Sequence, residues 1–177
     1  MAMDKAFFDA GVNRIGTDCE KWDGMIAATQ DPDMIPMWVA DMDFRSAPAI
    51  EEAMAGVLSW GTWGYTINGE RDAKALCDYW ARRHDMVFAP ENVAMSPCVV
   101  TGLRIAVRTL TQEGDGVLIN PPVYGPFFAS IRENGRKIVE SPLVCDENGR
   151  YNMNLADMEN KLASREAKAV MICSPHN

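Results

Sequence analysis

The run Val117-Leu118-Ile119-Asn120-Pro121-Pro122-Val123-Tyr124-Gly125-Pro126 decides how the chain folds. Val117-Leu118-Ile119 is apolar on both sides, as a strand buried on both faces must be. Two prolines then fix the backbone as it leaves the strand, and a helix runs from about Pro126 to Asn134, ending at Gly135. Lys137-Ile138-Val139-Glu140 reads as the next strand. Strand, helix and strand in quick succession, with apolar strands, predict a parallel sheet covered by helices.

The same alternation extends outward from this unit. Upstream, Leu103, Ala106, Val107 and Leu110 share one face of a helix from about Val99 to Leu110, which stops before Gly114. Val93-Ala94-Met95 reads as a short strand leading into it, followed by Ser96-Pro97. Earlier still, helices are expected from Ser46-Ala47-Pro48 towards Gly61, and over Arg71–His84 with Leu76, Tyr79 and Trp80 as its apolar stripe. Downstream, Asp146-Glu147-Asn148-Gly149 is a turn. Asn154, with Asp157 three residues on, caps a helix to about Ser164, and Ala169–Cys173 is a final apolar strand. Residues 1–45 lack this regularity. They hold Gly11, Gly16, Gly24, Pro32 and Pro36 as punctuation, and Trp22 and Trp38, which need a surface to pack on. The expected organisation is therefore an irregular arm over 1–45 and an α/β body, mainly a parallel sheet flanked by helices, over 46–177.

Composition narrows the function. The 177 residues carry 17 basic and 25 acidic side chains, a net charge of −8, which opposes binding to a phosphate backbone and argues against nucleic acid. A small anion is still compatible, because backbone N–H groups bind one locally. Cys19, Cys77, Cys98, Cys145 and Cys173 are scattered, and with His84 and His176 they form no zinc spacing, so no metal is expected. They read as reduced, mostly buried thiols of a cytoplasmic protein. No apolar run reaches a membrane span, and Met1–Lys5 lacks the core of a signal peptide, so no membrane partner is expected.

Ligands of open parallel sheets gather at the carboxyl ends of the strands. That singles out Ser96–Val100, Asn120–Tyr124 and Ser174–Asn177. At the first, the N–H groups of Cys98, Val99 and Val100 open a helix and suit a phosphate, although every such junction exposes donors. Neither a Walker A loop nor G-x-G-x-x-G is present. At the second, Tyr124 either stacks on a planar ring or packs on its own loop. At the third, Asn177 is either a turn residue or an amide presented to a ligand.

Together these segments resemble the large domain of fold-type I pyridoxal-phosphate enzymes, the class I/II aminotransferase superfamily. The likeness sharpens to its cystathionine β-lyase-like C–S lyases of the MalY/PatB type. It is carried by Lys21-Trp22-Asp23, the run Pro36-Met37-Trp38-Val39-Ala40-Asp41-Met42-Asp43-Phe44, Gly64-Tyr65-Thr66, Pro121-Pro122-Val123-Tyr124, Asn148-Gly149-Arg150-Tyr151 and Ser174-Pro175-His176-Asn177, in the family's order. The resemblance implies pyridoxal 5′-phosphate as cofactor. Its phosphate would lie on the backbone of Cys98, Val99 and Val100, where the family usually has Gly at the position of Cys98. Tyr124 would stack on the pyridine ring and Asn177 would bond its 3′-oxygen. Tyr65 would reach a neighbour's phosphate across a homodimer. Val39, Ala40 and Asp41 would lie beside an amino-acid substrate; the alternative reading of this arm, compatible with the first, is burial of Trp38, Met42 and Phe44 as a packing clasp.

The lysine that bonds the cofactor covalently follows the Ser-Pro-His-Asn segment in that family. Lys5, Lys21, Lys74, Lys137, Lys161 and Lys168 all precede it. The expectation is thus the N-terminal part of a C–S β-lyase, yielding pyruvate, ammonia and a thiol as a full-length enzyme and inactive alone. An aminotransferase on the same scaffold, or a non-catalytic binding module, are the alternatives. The strand Ala169–Cys173, without its usual neighbour, invites pairing with another chain.

Overall fold

The computed structural model describes residues 3–67 and 69–176. They divide into two compact units, Met1–Ile67 and Asn68–Asn177. The irregular segment expected over 1–45 belongs to the first, together with the helix that follows it.

The first unit contains α1 (Lys5–Asp9), a wide turn at Glu20–Gly24 running into α2 (Met25–Thr29), and α3 (Pro48–Leu58). Pro48 sits in the first turn of α3, where its missing N–H costs nothing, and Ala47 rather than Ser46 holds the cap position. No residue of α3 is buried.

In the second unit come α4 (Glu70–His84), α5 (Val99–Leu110), β1 (Gly116–Ile119), α6 (Pro126–Arg132), β2 (Lys137–Glu140), β3 (Val144–Cys145), β4 (Tyr151–Asn152), α7 (Leu155–Ala163) and β5 (Ala169–Val170). The strand order is β2-β1-β5, all parallel, with Val117 opposite Ile138 and Ala169. β3 and β4 form a separate antiparallel hairpin around the turn expected at 146–149.

β1 is the centre of the body. Leu118 and Ile119 are 0% exposed and Val117 is 1% exposed. Successive side chains of a strand face opposite ways, and the two layers follow from that. Val117 and Ile119 join Val107 of α5, Phe127 and Ile131 of α6, and Met171. Leu118 joins Val139, Met158 of α7 and Ala167 on the other face. Gly116 opens the strand where a Cβ would lie 2.0 Å from the carbonyl oxygen of Glu166, so no side chain fits.

Helix ends are closed by identifiable groups. Asn154 accepts from the N–H of Asp157 at 3.1 Å, as its spacing predicts. Beyond the C-terminus of α5, Arg136 donates to the carbonyl oxygens of Thr111 (2.5 Å), Asn134 (2.5 Å) and Arg108 (3.4 Å). These are the kind of carbonyls a helix end leaves without intrahelical partners.

Three local expectations are corrected. Val93–Met95 is not a strand: a short turn at Pro90–Asn92 is followed by irregular backbone, with Met95 exposed and no strand paired with it among the described residues. The buried side of α4 is Ala73 and Cys77, one step round from Leu76 and Tyr79, which are exposed. Pairing in the last strand covers Ala169–Val170, with the N–H of Met171 adding one more bond to Leu118.

Candidate functional site

At the carboxyl end of β1 the chain turns at Asn120, which is 2% exposed. Its side-chain amide donates to the carbonyl oxygen of Ser141 at 2.9 Å, closing the end of β2 onto β1. The loop Pro121–Tyr124 is then held from three directions. The N–H of Leu143 donates to Pro121 at 2.7 Å, the N–H of Phe127 donates to Tyr124 at 3.0 Å, and the His176 ring lies 2.7 Å from the carbonyl oxygen of Pro122. Tyr124 itself is 40% exposed and meets Phe127 edge-on, with ring centroids 6.0 Å apart. Its phenol ring is thus anchored on one side and open on another. Two of the three rim segments singled out above are in direct contact through His176. Asn177 lies outside the described residues.

The third segment opens α5. Cys98 has extended backbone (φ −157°, ψ 165°), which any residue adopts, so cysteine stands there without strain. No side chain caps this helix. Among the described residues, the N–H groups of Val99, Val100 and Thr101 have no backbone acceptor. The Cys98 Sγ turns back to 3.3 Å from the Thr101 hydroxyl. That hydroxyl, with the N–H dipoles of Thr101 and Val100 and the charge of Arg104, holds the thiol below its ordinary range. The same dipoles suit any small anion placed there. α5 and α6 pack on one face of the sheet through Leu103, Val107, Phe127 and Ile131, which fixes this turn and the Tyr124 loop to a common core.

In the first unit, Asp43 is a hub. It accepts from Lys21 Nζ (2.7 Å), Trp22 Nε1 (2.9 Å) and Arg14 (3.2 Å). Lys21 and then Trp22 hold its carboxyl well below the usual range, at about 2. Arg14 also pairs with Asp41, and Lys21 reaches the carbonyl oxygen of Asp41 at 3.0 Å. Asp23 ties down the preceding loop through the N–H groups of Gly16, Thr17 and Cys19. Val39, Ala40 and Asp41 are therefore carried on a braced arm. Tyr65 is fully exposed. These roles of Asp23, Asp43 and His176 were missed in the sequence. The alternation of Asp41 and Asp43 was the one available signal, since two acids on one side of an extended segment need cations.

Among the described residues no cluster of His, Cys, Asp and Glu is arranged for a metal, and no helix is long and apolar enough to cross a membrane. Cys19 and Cys77 are buried as expected, but Cys98 and Cys145 are exposed.

A parallel sheet layered by helices, with a tethered aromatic at its carboxyl rim and an open helix N-terminus on a helix of the same core, defines an α/β domain with a candidate ligand site. The chain belongs to the aminotransferase class I and II family, whose family model matches residues 66–177. It is 40% identical over 170 residues to cystathionine β-lyase PatB of Bacillus subtilis (strain 168), covering 96% of this chain and 44% of that protein. The crystal structure of cystalysin from Treponema denticola, which contains a pyridoxal 5′-phosphate cofactor, superposes with a TM-score of 0.89 at 32% identity, over 100% of this chain and 44% of that one. The pyridoxal-phosphate-bound C–S lyase of Staphylococcus hominis gives 0.85 at 29% identity, over 96% and 43%. The chain thus spans less than half the length of these relatives.

Proposed function

We propose that this chain builds the coenzyme-binding part of a pyridoxal-phosphate-dependent C–S β-lyase acting on amino acids of the cystathionine or cysteine kind. The observation that carries the reading is the open first turn of α5 in a chain 40% identical, over 96% of its length, to a cystathionine β-lyase. The donor set fits the coenzyme. First-turn N–H groups without backbone acceptors suit a phosphate, and a half-open phenol suits a flat ring. When bound, the coenzyme supplies an electron sink for negative charge at the amino acid's Cα.

The chain's own residues then divide the work. The backbone of Cys98, Val99 and Val100 holds the phosphate, and Tyr124 offers its ring face to the pyridine. Asn177 presents its amide to the 3′-oxygen. Asp41 is neutralised by Arg14, so the stretch Val39–Asp41 offers mainly backbone to the substrate. The exposed Tyr65 phenol suits the phosphate site of a second subunit in a cytoplasmic homodimer. No lysine here is disposed to bond the coenzyme. Lys137 and Lys168 lie at the amino ends of their strands, opposite the rim. Lys5, Lys21, Lys74 and Lys161 are in ion pairs. The chain alone holds the coenzyme non-covalently and performs no elimination. In the full-length enzyme the substrate loses its Cα proton and its β-thiolate, and water completes the release of pyruvate and ammonia.

The family model's own description supports transamination as a second reading. Pyruvate released from cystathionine by the full-length protein without a keto-acid acceptor decides for the lyase; dependence on an acceptor decides for the transferase. For the chain itself, saturable quenching of aromatic fluorescence by pyridoxal 5′-phosphate is expected, with no stoichiometric lysine adduct after borohydride. Absence of saturable binding would overturn the proposal.

A further inference from the structure

We propose that His176 is a positioning residue that sets the Tyr124 ring, through the hydrogen bond between its Nε2 and the carbonyl oxygen of Pro122. The inference deepens the reading given above, and rests on it for the purpose of the ring. The bond itself rests on geometry alone.

Neither Pro121 nor Pro122 has a backbone N–H, so this stretch can be held only through its carbonyl oxygens. Each of them is accounted for. Pro121 receives the N–H of Leu143 at 2.7 Å, and Pro122 receives the His176 ring at 2.7 Å. Two residues on, Tyr124 receives the N–H of Phe127 at 3.0 Å. Among the described residues, His176 is the one partner of the Pro122 carbonyl. Among the described residues its bond is also the one direct hydrogen bond between the loop leaving β1 and the segment leaving β5, joining residues 54 apart in sequence. A side chain far along the chain thereby fixes the backbone two residues before the ring.

A carbonyl oxygen only accepts, so His176 must carry a proton on Nε2. That requirement separates the proposal from general packing: a ring of the same shape without a donor fails, and a glutamine, whose amide N–H reaches the same place, succeeds.

The test uses the chain with ¹⁵N-labelled histidine and ¹³C-labelled tyrosine, comparing His176→Phe with His176→Gln. Long-range ¹⁵N spectra should show Nε2 protonated. The Tyr124 ring resonances should shift in His176→Phe and return to the wild-type position in His176→Gln, while Tyr65 and Tyr79 stay in place as controls of folding. Affinity for pyridoxal 5′-phosphate should fall about tenfold in His176→Phe and stay within about threefold in His176→Gln, the range of one hydrogen bond. A bare Nε2, a Tyr124 signal unmoved in His176→Phe, or equal shifts in both variants would overturn the inference. If Tyr124 follows the donor but wild type binds no coenzyme, the positioning stands and the coenzyme reading falls.

Discussion

Lys21 and Asp43 form a 2.7 Å ion pair that closes 22 residues of the N-terminal arm into a loop. Trp22, adjacent to the lysine, donates to the same carboxylate, so one acid organises an arm whose helical pieces are each only five residues long. The folded carboxyl titrates near 2 against an ordinary value of 3.8. A depressed acid contributes stability in full above its unfolded value, and that contribution disappears as pH falls through the folded one. We expect the emission of Trp22 to shift red between about pH 4 and pH 2. Asp43→Asn should show the shifted spectrum already at neutral pH. An arm whose emission is the same in both proteins down to pH 2 would contradict this.

Cys98 should be the most reactive thiol of the chain. It is exposed, and the Thr101 hydroxyl, the first-turn N–H groups and Arg104 favour its anion. N-ethylmaleimide should label it at neutral pH faster than Cys145, which is also exposed, as peptide mapping would reveal. Inorganic phosphate or pyridoxal 5′-phosphate should slow that labelling, because anion and thiolate compete for the same donors. Phosphate affinity should therefore decline as pH rises through the thiol's titration, and Cys98→Gly should lose that dependence.

Gly116→Ala should be severely destabilising for its size. A Cβ at this point would sit 2.0 Å from the Glu166 carbonyl oxygen and 2.7 Å from a Val139 methyl. The backbone of the Glu166 loop cannot yield as a flexible side chain can. We expect a loss of about 1–3 kcal/mol in urea unfolding. Leu118→Ala, which empties rather than overfills the same layer, should cost about 2–5 kcal/mol.

Arg136→Met should cost about 1–3 kcal/mol, because it keeps the aliphatic stem and removes the donors to Thr111, Asn134 and Arg108. Hydrogen exchange checks the mechanism: protection should fall in the last turn of α5 before it falls in β1.

The body was legible in the sequence because its signals are local. Val117–Ile119 is apolar without interruption, the α5 stripe at Leu103 and Val107 repeats at helical spacing, and Asn154 caps three residues ahead. The segments after β1 and β5 followed from strand direction, whereas Ser96–Val100 follows no strand. What was not legible depends on distant partners. Val93–Met95 has a strand's composition, but it pairs with no strand among the described residues. β3 and β4 pair over two residues each, too few for alternation to register. The bonds from Lys21 to Asp43 and from His176 to Pro122 join side chains to groups 22 and 54 residues away, which no periodicity reports.

The Arg136 clamp makes α5 a lever. Twelve residues at 1.5 Å each put its open turn at Val99 about 18 Å from the guanidinium that holds the far end. A tilt of a few degrees at Thr111 swings Val99 and Val100 by about an ångström, enough to spoil their aim on a bound anion. Variants selected for altered coenzyme retention should accordingly arise at Arg136, Thr111 and Asn134 as well as beside the phosphate, at positions a search confined to the rim would discard.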